Sequence, residues 1–309
     1  MTIFVYTPLS EDNRNYLIQH LPDGLTVLFR KELSEEEQKA AFRDADILMG
    51  NPPVAWFAET GRLKWWQLDS AGFDGYRNVK LQAKVTNMGD YFAWPCAETI
   101  VAGIMAFYRN IHELAVLQTQ KKWVGVPIRF KLNLLKNKKV VILGAGTIGQ
   151  AVHQMLSGFQ CEVKFLARTN PQAELHTPEE LKAVLPRTDL VVNCLPGMAR
   201  EFFSAEMIAA MKPGSLYANI GRGSTTDEDA LIDALQEGHL AGAVLDVTEV
   251  EPLPADSPLW TMPNVILTQH TGGGVATEDE GKVDWFIKNL KRFVAGETLE
   301  NQVDLSKGY

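Results

Sequence analysis

The stretch KKVVILGAGTIGQAV, Lys138 to Val152, runs from an apolar segment straight into Gly144, Gly146 and Gly149 and then into residues of helical character. That order predicts strand, glycine turn, helix. In this context each glycine of the G-x-G-x-x-G pattern serves a separate need, namely the tight turn, the close approach of backbone to a pyrophosphate, and close packing of helix on sheet. The pyrophosphate would rest on the exposed N–H groups and positive dipole end of a helix opening with Thr147, Ile148 and Gly149. A dinucleotide is thus the first ligand suggested, the alternative being a glycine-rich turn of another α/β protein.

Downstream of this turn the apolar runs CEVKFLA, DLVVNCL, SLYANI, AGAVLDV and NVILTQ alternate with helical segments such as Pro178 to Val184 and Asp227 to Gln236. The pattern reads as a doubly wound parallel sheet. Upstream, TIFVYT, LTVLFR, ADILMG, LKWWQLDS and KVTNM form a second, smaller α/β unit. Apolar spacing from Ala97 to about Gln120 predicts one long helix joining the two. A last helix, near Ala276 to Ala295, is expected to return to the N-terminal unit and make it discontinuous. The expected division is 1–97 with 283–309, and 98–282.

The 309 residues suffice for two well-buried cores, and a net charge of -8 leaves little scope for the basic face that a nucleic-acid partner requires. The longest strongly apolar run, Ile100 to Tyr108, is much shorter than the ~20 residues of a membrane span, and MTIFVYTPLS has no basic leader. A cytoplasmic protein without membrane or nucleic-acid partners is expected. Cys96, Cys161 and Cys194 show no metal-ligand spacing, so neither a disulfide framework nor a metal is expected.

Ligands of open parallel sheets bind beyond the carboxyl ends of the strands. Arg168 follows CEVKFLA, Arg222 follows SLYANI, Glu251 follows AGAVLDV by a short loop, and His270 follows NVILTQ directly. Any one of them alone reads as an ordinary surface or core residue. Together on one edge with a dinucleotide turn, an arginine, a carboxylate and a histidine point to catalysis. Hydride transfer to a ketone leaves negative charge on oxygen, which needs a proton donor and a nearby cation. His270 suits the first role, oriented by Glu251, and the guanidinium of Arg222 suits the second.

The stretches GAGTIG, NCLPG, MKPGSLYANIGRGSTTDEDALIDAL, LDVTEVEPLP, SPLW, PNVILTQHTGG and the terminal GY resemble the D-isomer-specific 2-hydroxyacid dehydrogenase family over essentially the whole chain. Within it the chain is most similar to the glyoxylate/hydroxypyruvate reductases. The resemblance implies a Rossmann dinucleotide-binding domain, a smaller flavodoxin-like substrate domain, and a homodimer formed largely by the cofactor domains. It implies Arg222 as the substrate arginine, Glu251 as the partner of His270, and His270 as general acid/base. Asp246 would contact the nicotinamide end, with Leu195 and Pro196 lining the cofactor site. DSAGFD, Asp69 to Asp74, resembles the family loop that offers N–H groups to the substrate carboxylate, here those of Ala71 and Gly72. The segment YFAWPC departs from the family's small-residue pattern, so Tyr91 and Trp94 either shape the substrate pocket or fill a junction. Trp56, Trp65 and Trp66 likewise divide between pocket wall and core.

About twenty residues beyond the glycine turn, where an acidic residue would select NAD, stand Ala167, Arg168 and Thr169. Arg168 would pair with the additional phosphate of NADP and Thr169 would add a hydroxyl; the alternative is an arginine stacked beside the adenine. NADP is therefore expected ahead of NAD. The expected reaction is reduction of a small 2-oxo acid to the D-2-hydroxy acid, with closure of the domains excluding water. The rival from another class is a dinucleotide-sensing binding protein of the corepressor type.

Overall fold

Each of the apolar runs read above as belonging to a sheet forms a strand, because strands covered on both faces have few positions at which a polar side chain is tolerated. The computed structural model describes residues 1–59 and 61–308, so Tyr309 of the terminal GY pair lies outside the described residues. In chain order the elements are β1 (Thr2–Val5), α1 (Glu11–Gln19), β2 (Thr26–Phe29), α2 (Glu35–Arg43), β3 (Ile47–Met49), β4 (Trp65–Gln67), β5 (Lys84–Thr86), α3 (Ala93–Tyr108), α4 (Ile111–Thr119), α5 (Val126–Arg129), β6 (Lys139–Leu143), α6 (Thr147–Ser157), β7 (Glu162–Leu166), α7 (Pro178–Val184), β8 (Leu190–Asn193), α8 (Ala205–Ala210), β9 (Leu216–Asn219), α9 (Glu228–Gln236), β10 (Gly242–Leu245), β11 (Val265–Leu267) and α10 (Glu278–Val294).

Two units emerge, one of Met1–Tyr91 with the chain from Val275 onward, the other of Phe92–Gly274. The breaks fall ahead of α3 and ahead of α10 rather than at 97/98 and 282/283, because each helix packs as a whole. α3 lies against α6, β9 and β10, while α10 sends Val283, Phe286, Ile287 and Leu290 into one core with Ile3, Val5, Leu17 and Trp65.

The first unit is a parallel sheet of order β2-β1-β3-β4-β5, the flavodoxin-like sequence of a doubly wound fold. Its first two helices start on side-chain caps: Ser10 accepts from the Asn13 N–H, and Ser34 and Glu37 form a reciprocal capping box. Trp65 and Trp66 point to opposite faces of β4, as neighbours on a strand must. Trp65 stacks on Phe286 with centroids 5.0 Å apart and donates its indole N–H to Thr86 Oγ1. Trp66 donates to the Gly50 carbonyl inside the second core of this sheet. Both are fully buried. They fill cores and are not pocket walls; Trp56 is half-buried against Tyr6 and Phe42, and Trp94 is exposed.

The second unit is a parallel sheet of order β11-β10-β9-β8-β6-β7. A single parallel bridge from Leu166 to Leu175 stands on the outer side of β7, where a third strand would complete the Rossmann order. The chain switches direction between β6 and β8, so the glycine turn after β6 opens at the crevice where doubly wound sheets bind ligands.

The long helix expected from Ala97 to Gln120 is instead two, α3 and α4, bent by 74°. Asn110 breaks it, adopting a left-handed φ of 56°, a conformation that asparagine tolerates better than most residues. Its side chain then donates to Glu113 in the first turn of α4. No single helix among the described residues is long and apolar enough to cross a membrane.

Candidate active site in the Rossmann unit

The glycine turn has the geometry its sequence requires. Gly144 has φ +99°, a backbone that L side chains rarely adopt, and a Cβ there would sit 3.1 Å from the Cys194 carbonyl oxygen. A Cβ on Gly149 would overlap the Gly144 carbonyl oxygen, so only glycine lets α6 start this close to the turn. Gly146 faces open space, with nothing within 4 Å of a Cβ position. No side chain caps α6, and the N–H groups of Thr147, Ile148 and Gly149 have no acceptor among the described residues. Three unpaired donors, a helix dipole and an open glycine face fit the diphosphate of a dinucleotide.

Arg168 and Thr169 follow β7 and are exposed. The loop they begin is tied to the glycine turn by Asn170, whose side-chain N–H donates to the Ala145 carbonyl at 3.4 Å. His176 Nδ1 lies 2.8 Å from the Ala167 carbonyl, adding a second basic side chain beside Arg168 that the sequence reading missed.

At the ends of β8 and β9 stand two asparagines that play the same part. Asn193 Oδ1 accepts the Leu195 N–H and Asn219 Oδ1 accepts the Gly221 N–H, each at 3.0 Å, and these turns direct Leu195, Pro196 and Arg222 off the strand ends. Both asparagines are buried and share a network with Tyr217, Thr225 and Thr226. The Arg222 carbonyl accepts from Asn219 and from the Thr225 hydroxyl, which fixes the main chain at Arg222. Arg222 Nη1 donates to the Gly221 carbonyl at 2.8 Å.

Close backbone approach brings these turns together. A Cβ on Gly221 would strike the Leu195 main chain, and one on Gly223 would overlap the Thr248 carbonyl. The turn bearing Arg222 therefore rests directly on the loop bearing Glu251. That loop is held in turn by the Glu249 N–H bonded to Glu228 (2.8 Å), the Thr248 hydroxyl bonded to Val250 O (2.9 Å), and the Thr248 N–H bonded to Glu251 Oε1 (3.2 Å). Burial raises the Glu228 carboxyl above its usual range, with the charges of Glu249, Asp229 and Glu251 adding to it.

His270 meets Glu251 across this edge, with Nδ1 2.6 Å from Oε2. Gln269 and His270 both have positive φ, 55° and 54°, a strained pair of non-glycine residues of the kind found where function dictates geometry. Asp246 overcomes the strain. Its carbonyl accepts the His270 N–H (2.5 Å), and its Oδ1 accepts the Thr268 hydroxyl and the N–H groups of Thr271 and Gly272. Asp246 is 4 % exposed and thereby clasps the turn that presents the imidazole. The His270 and Glu251 side chains remain 50 % and 37 % exposed, so their pairing fixes orientation more than it adds stability. A cavity of about 390 Å³ opens beside them, walled by Leu245, Pro252, Leu253, Trp260 and Leu267.

Cys96, on α3, belongs to the same neighbourhood. Burial and the Asp246 charge push its thiol up to about 11, against the pull of Arg222. Its place next to the site had no sequence signal.

Ala71 and Gly72 lie in the first unit, in the loop after β4. Asn87 donates to the Ala71 carbonyl and the Ser70 hydroxyl to the Gly72 carbonyl, both at 2.6 Å. In a planar trans peptide the N–H points opposite the C=O, so these bonds aim the N–H groups of Gly72 and Phe73 away from Asn87 and Ser70. The N–H groups of Ala71 and Gly72 have no acceptor among the described residues.

The family model described as "D-isomer specific 2-hydroxyacid dehydrogenase, NAD binding domain" matches residues 101–272, from within α3 to the turn after β11. The chain belongs to the D-isomer specific 2-hydroxyacid dehydrogenase family. As a member it is an NAD(P)-dependent oxidoreductase. Among its relatives in this family, glyoxylate/hydroxypyruvate reductase B of Escherichia fergusonii is 31% identical over 306 residues, covering 93% of this chain and 94% of the relative. A solved D-isomer specific 2-hydroxyacid dehydrogenase family protein of Aeromonas salmonicida superposes with a TM-score of 0.85 at 28% identity, over 98% of this chain and 99% of that one. A family member from Xanthobacter autotrophicus, solved in complex with NADPH and MES, gives a TM-score of 0.82 at 29% identity, over 100% and 99%.

Proposed function

We propose that this chain reduces small 2-oxo acids, with glyoxylate and hydroxypyruvate foremost, to D-2-hydroxy acids and prefers NADPH. The observation that carries the reading is the 2.6 Å contact of His270 Nδ1 with Glu251, beyond the same sheet edge as the glycine turn and Arg222. With Nδ1 committed to a carboxylate, Nε2 is the nitrogen left to give a proton to the substrate oxygen. Arg222 offers fixed donors to the substrate carboxylate and to the oxygen on which charge develops. The loop at Ala71 and Gly72 supplies further N–H donors to the carboxylate. Gly144, Gly146, Thr147, Ile148 and Gly149 hold the diphosphate, Leu195, Pro196 and Asp246 border the nicotinamide end, and the bound NADPH supplies the hydride. The glyoxylate and hydroxypyruvate assignment leans on the names of the relatives. Assay of the purified chain against a panel of 2-oxo acids with both reduced cofactors tests the reading; a dinucleotide binder of the corepressor type would bind cofactor and turn nothing over.

Preference for NADPH rests on Arg168, with Thr169 and His176 beside it. Arg168→Ala is expected to lower kcat/KM for NADPH by about tenfold to a hundredfold, the loss of one charge-assisted contact, while changing the value for NADH little. Preference for NADH in the intact protein, unchanged in the variant, would refute the assignment.

The proposed homodimer has a surface in the Rossmann unit. α4 and the segment after it expose Ile111, Val116, Trp123, Val126, Phe130 and Leu134, with Trp123 95% and Phe130 86% accessible. Apolar groups this open in one stretch suit a second copy of the chain. Sedimentation is expected to give twice the chain mass of 34.4 kDa, and F130D to shift the protein toward that of one chain. A wild-type monomer at micromolar concentration would contradict the assembly. Cytoplasmic placement accords with three free thiols.

A further inference from the structure

Asp69 is a carboxylate for which the proposed reaction has no use, standing at the root of the loop that carries Ala71 and Gly72. Its Oδ1 accepts the Thr7 hydroxyl at 2.8 Å, and its N–H donates to Asn51 Oδ1 at 3.0 Å. Asn51 also donates to Ser70 Oγ, the hydroxyl that holds the Gly72 carbonyl. Asp69 is thus built into the same set of bonds that aims the loop's N–H groups. The groups that face it come from each neighbouring element: Thr7 after β1, Asn51 after β3, the Tyr76 phenol further along its own segment, and Lys282, Glu278 and Asp279 from α10. Lys282 does not neutralise it, because that ammonium, 13 % exposed, is bound to Glu278 at 2.6 Å and lies 4.0 Å from Asp279. One cation thus serves three carboxylates. Burial above all, against the Thr7 hydrogen bond and the Lys282 charge, pushes the Asp69 carboxyl up to about 6.

We propose that Asp69 is a specificity-determining residue whose own charge sets the affinity for the substrate anion, opposing a carboxylate at the loop when ionised and admitting it when protonated. The inference rests on the reading of this loop as the holder of the substrate carboxylate. A simple 2-oxo acid stays ionised from pH 5 upward, so only the enzyme's charge changes across that range. At the effective dielectric of a protein surface, about 20, a unit charge ~12 Å from an anion alters its affinity by about tenfold.

The test is the KM for glyoxylate at saturating NADPH from pH 5 to 8.5, in the wild type and in Asp69→Asn, which keeps an acceptor for Thr7. The ratio of wild-type to variant KM is expected to climb from near one at pH 5 to about ten at pH 8, with its midpoint near 6, as Asp69 ionises. Any titration common to both proteins cancels in the ratio. Lys282→Met provides a second variant that leaves Asp69 in place. Loss of the cation holds the proton on Asp69 longer, so the rise in KM is expected to move to higher pH. A ratio that stays flat with pH overturns the proposal. Asn87→Ala, which releases the Ala71 carbonyl, separates this failure from that of the underlying reading: a raised KM with a flat ratio refutes the role of Asp69 alone, whereas an unchanged KM removes the loop reading and this inference with it.

Discussion

Replacing His270 with alanine is expected to lower kcat for 2-oxo acid reduction by about 10² to 10⁴, the usual worth of a positioned general acid, or about 2.7 to 5.4 kcal/mol of barrier. The Kd for NADPH, read by titration of protein fluorescence, should stay within about twofold, because the imidazole is not among the groups proposed to hold the cofactor. Glu251→Gln is expected to fall less on its own, since the amide oxygen still accepts from Nδ1 and orients the ring while the carboxylate charge beside it is lost. Added to His270→Ala it should cost little more, as groups that act as one unit do not add. Near-normal turnover in His270→Ala would remove the acid assignment.

The second large effect is expected at Arg222. Loss of a donor aimed at developing negative charge costs about 10² to 10³ in rate, so Arg222→Gln should reduce kcat/KM by at least that much. Arg222→Lys should recover only a small part, because an ammonium cannot present a planar fork to a carboxylate and a carbonyl oxygen at once. Circular dichroism and a melting curve for each variant separate loss of rate from loss of fold; the main chain at this turn is held through the Arg222 carbonyl, by Asn219 and Thr225, and both variants keep it. Full activity in Arg222→Lys would show that charge alone suffices and that the fork has no role.

The strands were legible in the sequence because a parallel sheet covered on both faces writes an unbroken apolar run, as VVIL and LVVN do. The glycine turn was legible because steric demands at Gly144 and Gly149 admit one residue type. Pairing of His270 with Glu251 followed from the rule that polar groups at the carboxyl ends of strands converge, and the two groups stand 2.6 Å apart. The break at Asn110 was hidden, since one left-handed residue interrupts a helix without disturbing the apolar spacing on either side. Trp65 and Trp66 could not both line one pocket, because consecutive strand residues face opposite ways, and each anchors a different core.

What the sequence withheld was mostly the set of bonds that hold functional groups in place. Asn87 reaches Ala71 over 16 positions, Thr7 reaches Asp69 over 62, and Asp246 gathers the turn at His270 from 22 to 26 positions away. Such partners carry no local signature, because polar residues at strand ends are common and only the sheet order decides which of them meet. Asn193 and Asn219 are the exception in principle. Each ends an apolar run and bonds the N–H two residues on, a local pattern visible in NCL and NIG once sought.

Reduction of 2-oxo acids is best examined by following NADPH absorbance and product chirality together, with hydroxypyruvate or pyruvate as substrate and the wild-type chain as catalyst. The expected result is one NADPH oxidised per D-2-hydroxy acid formed. Cofactor binding without oxidation across the 2-oxo acid panel, or formation of the L product, would rule out a D-specific reductase.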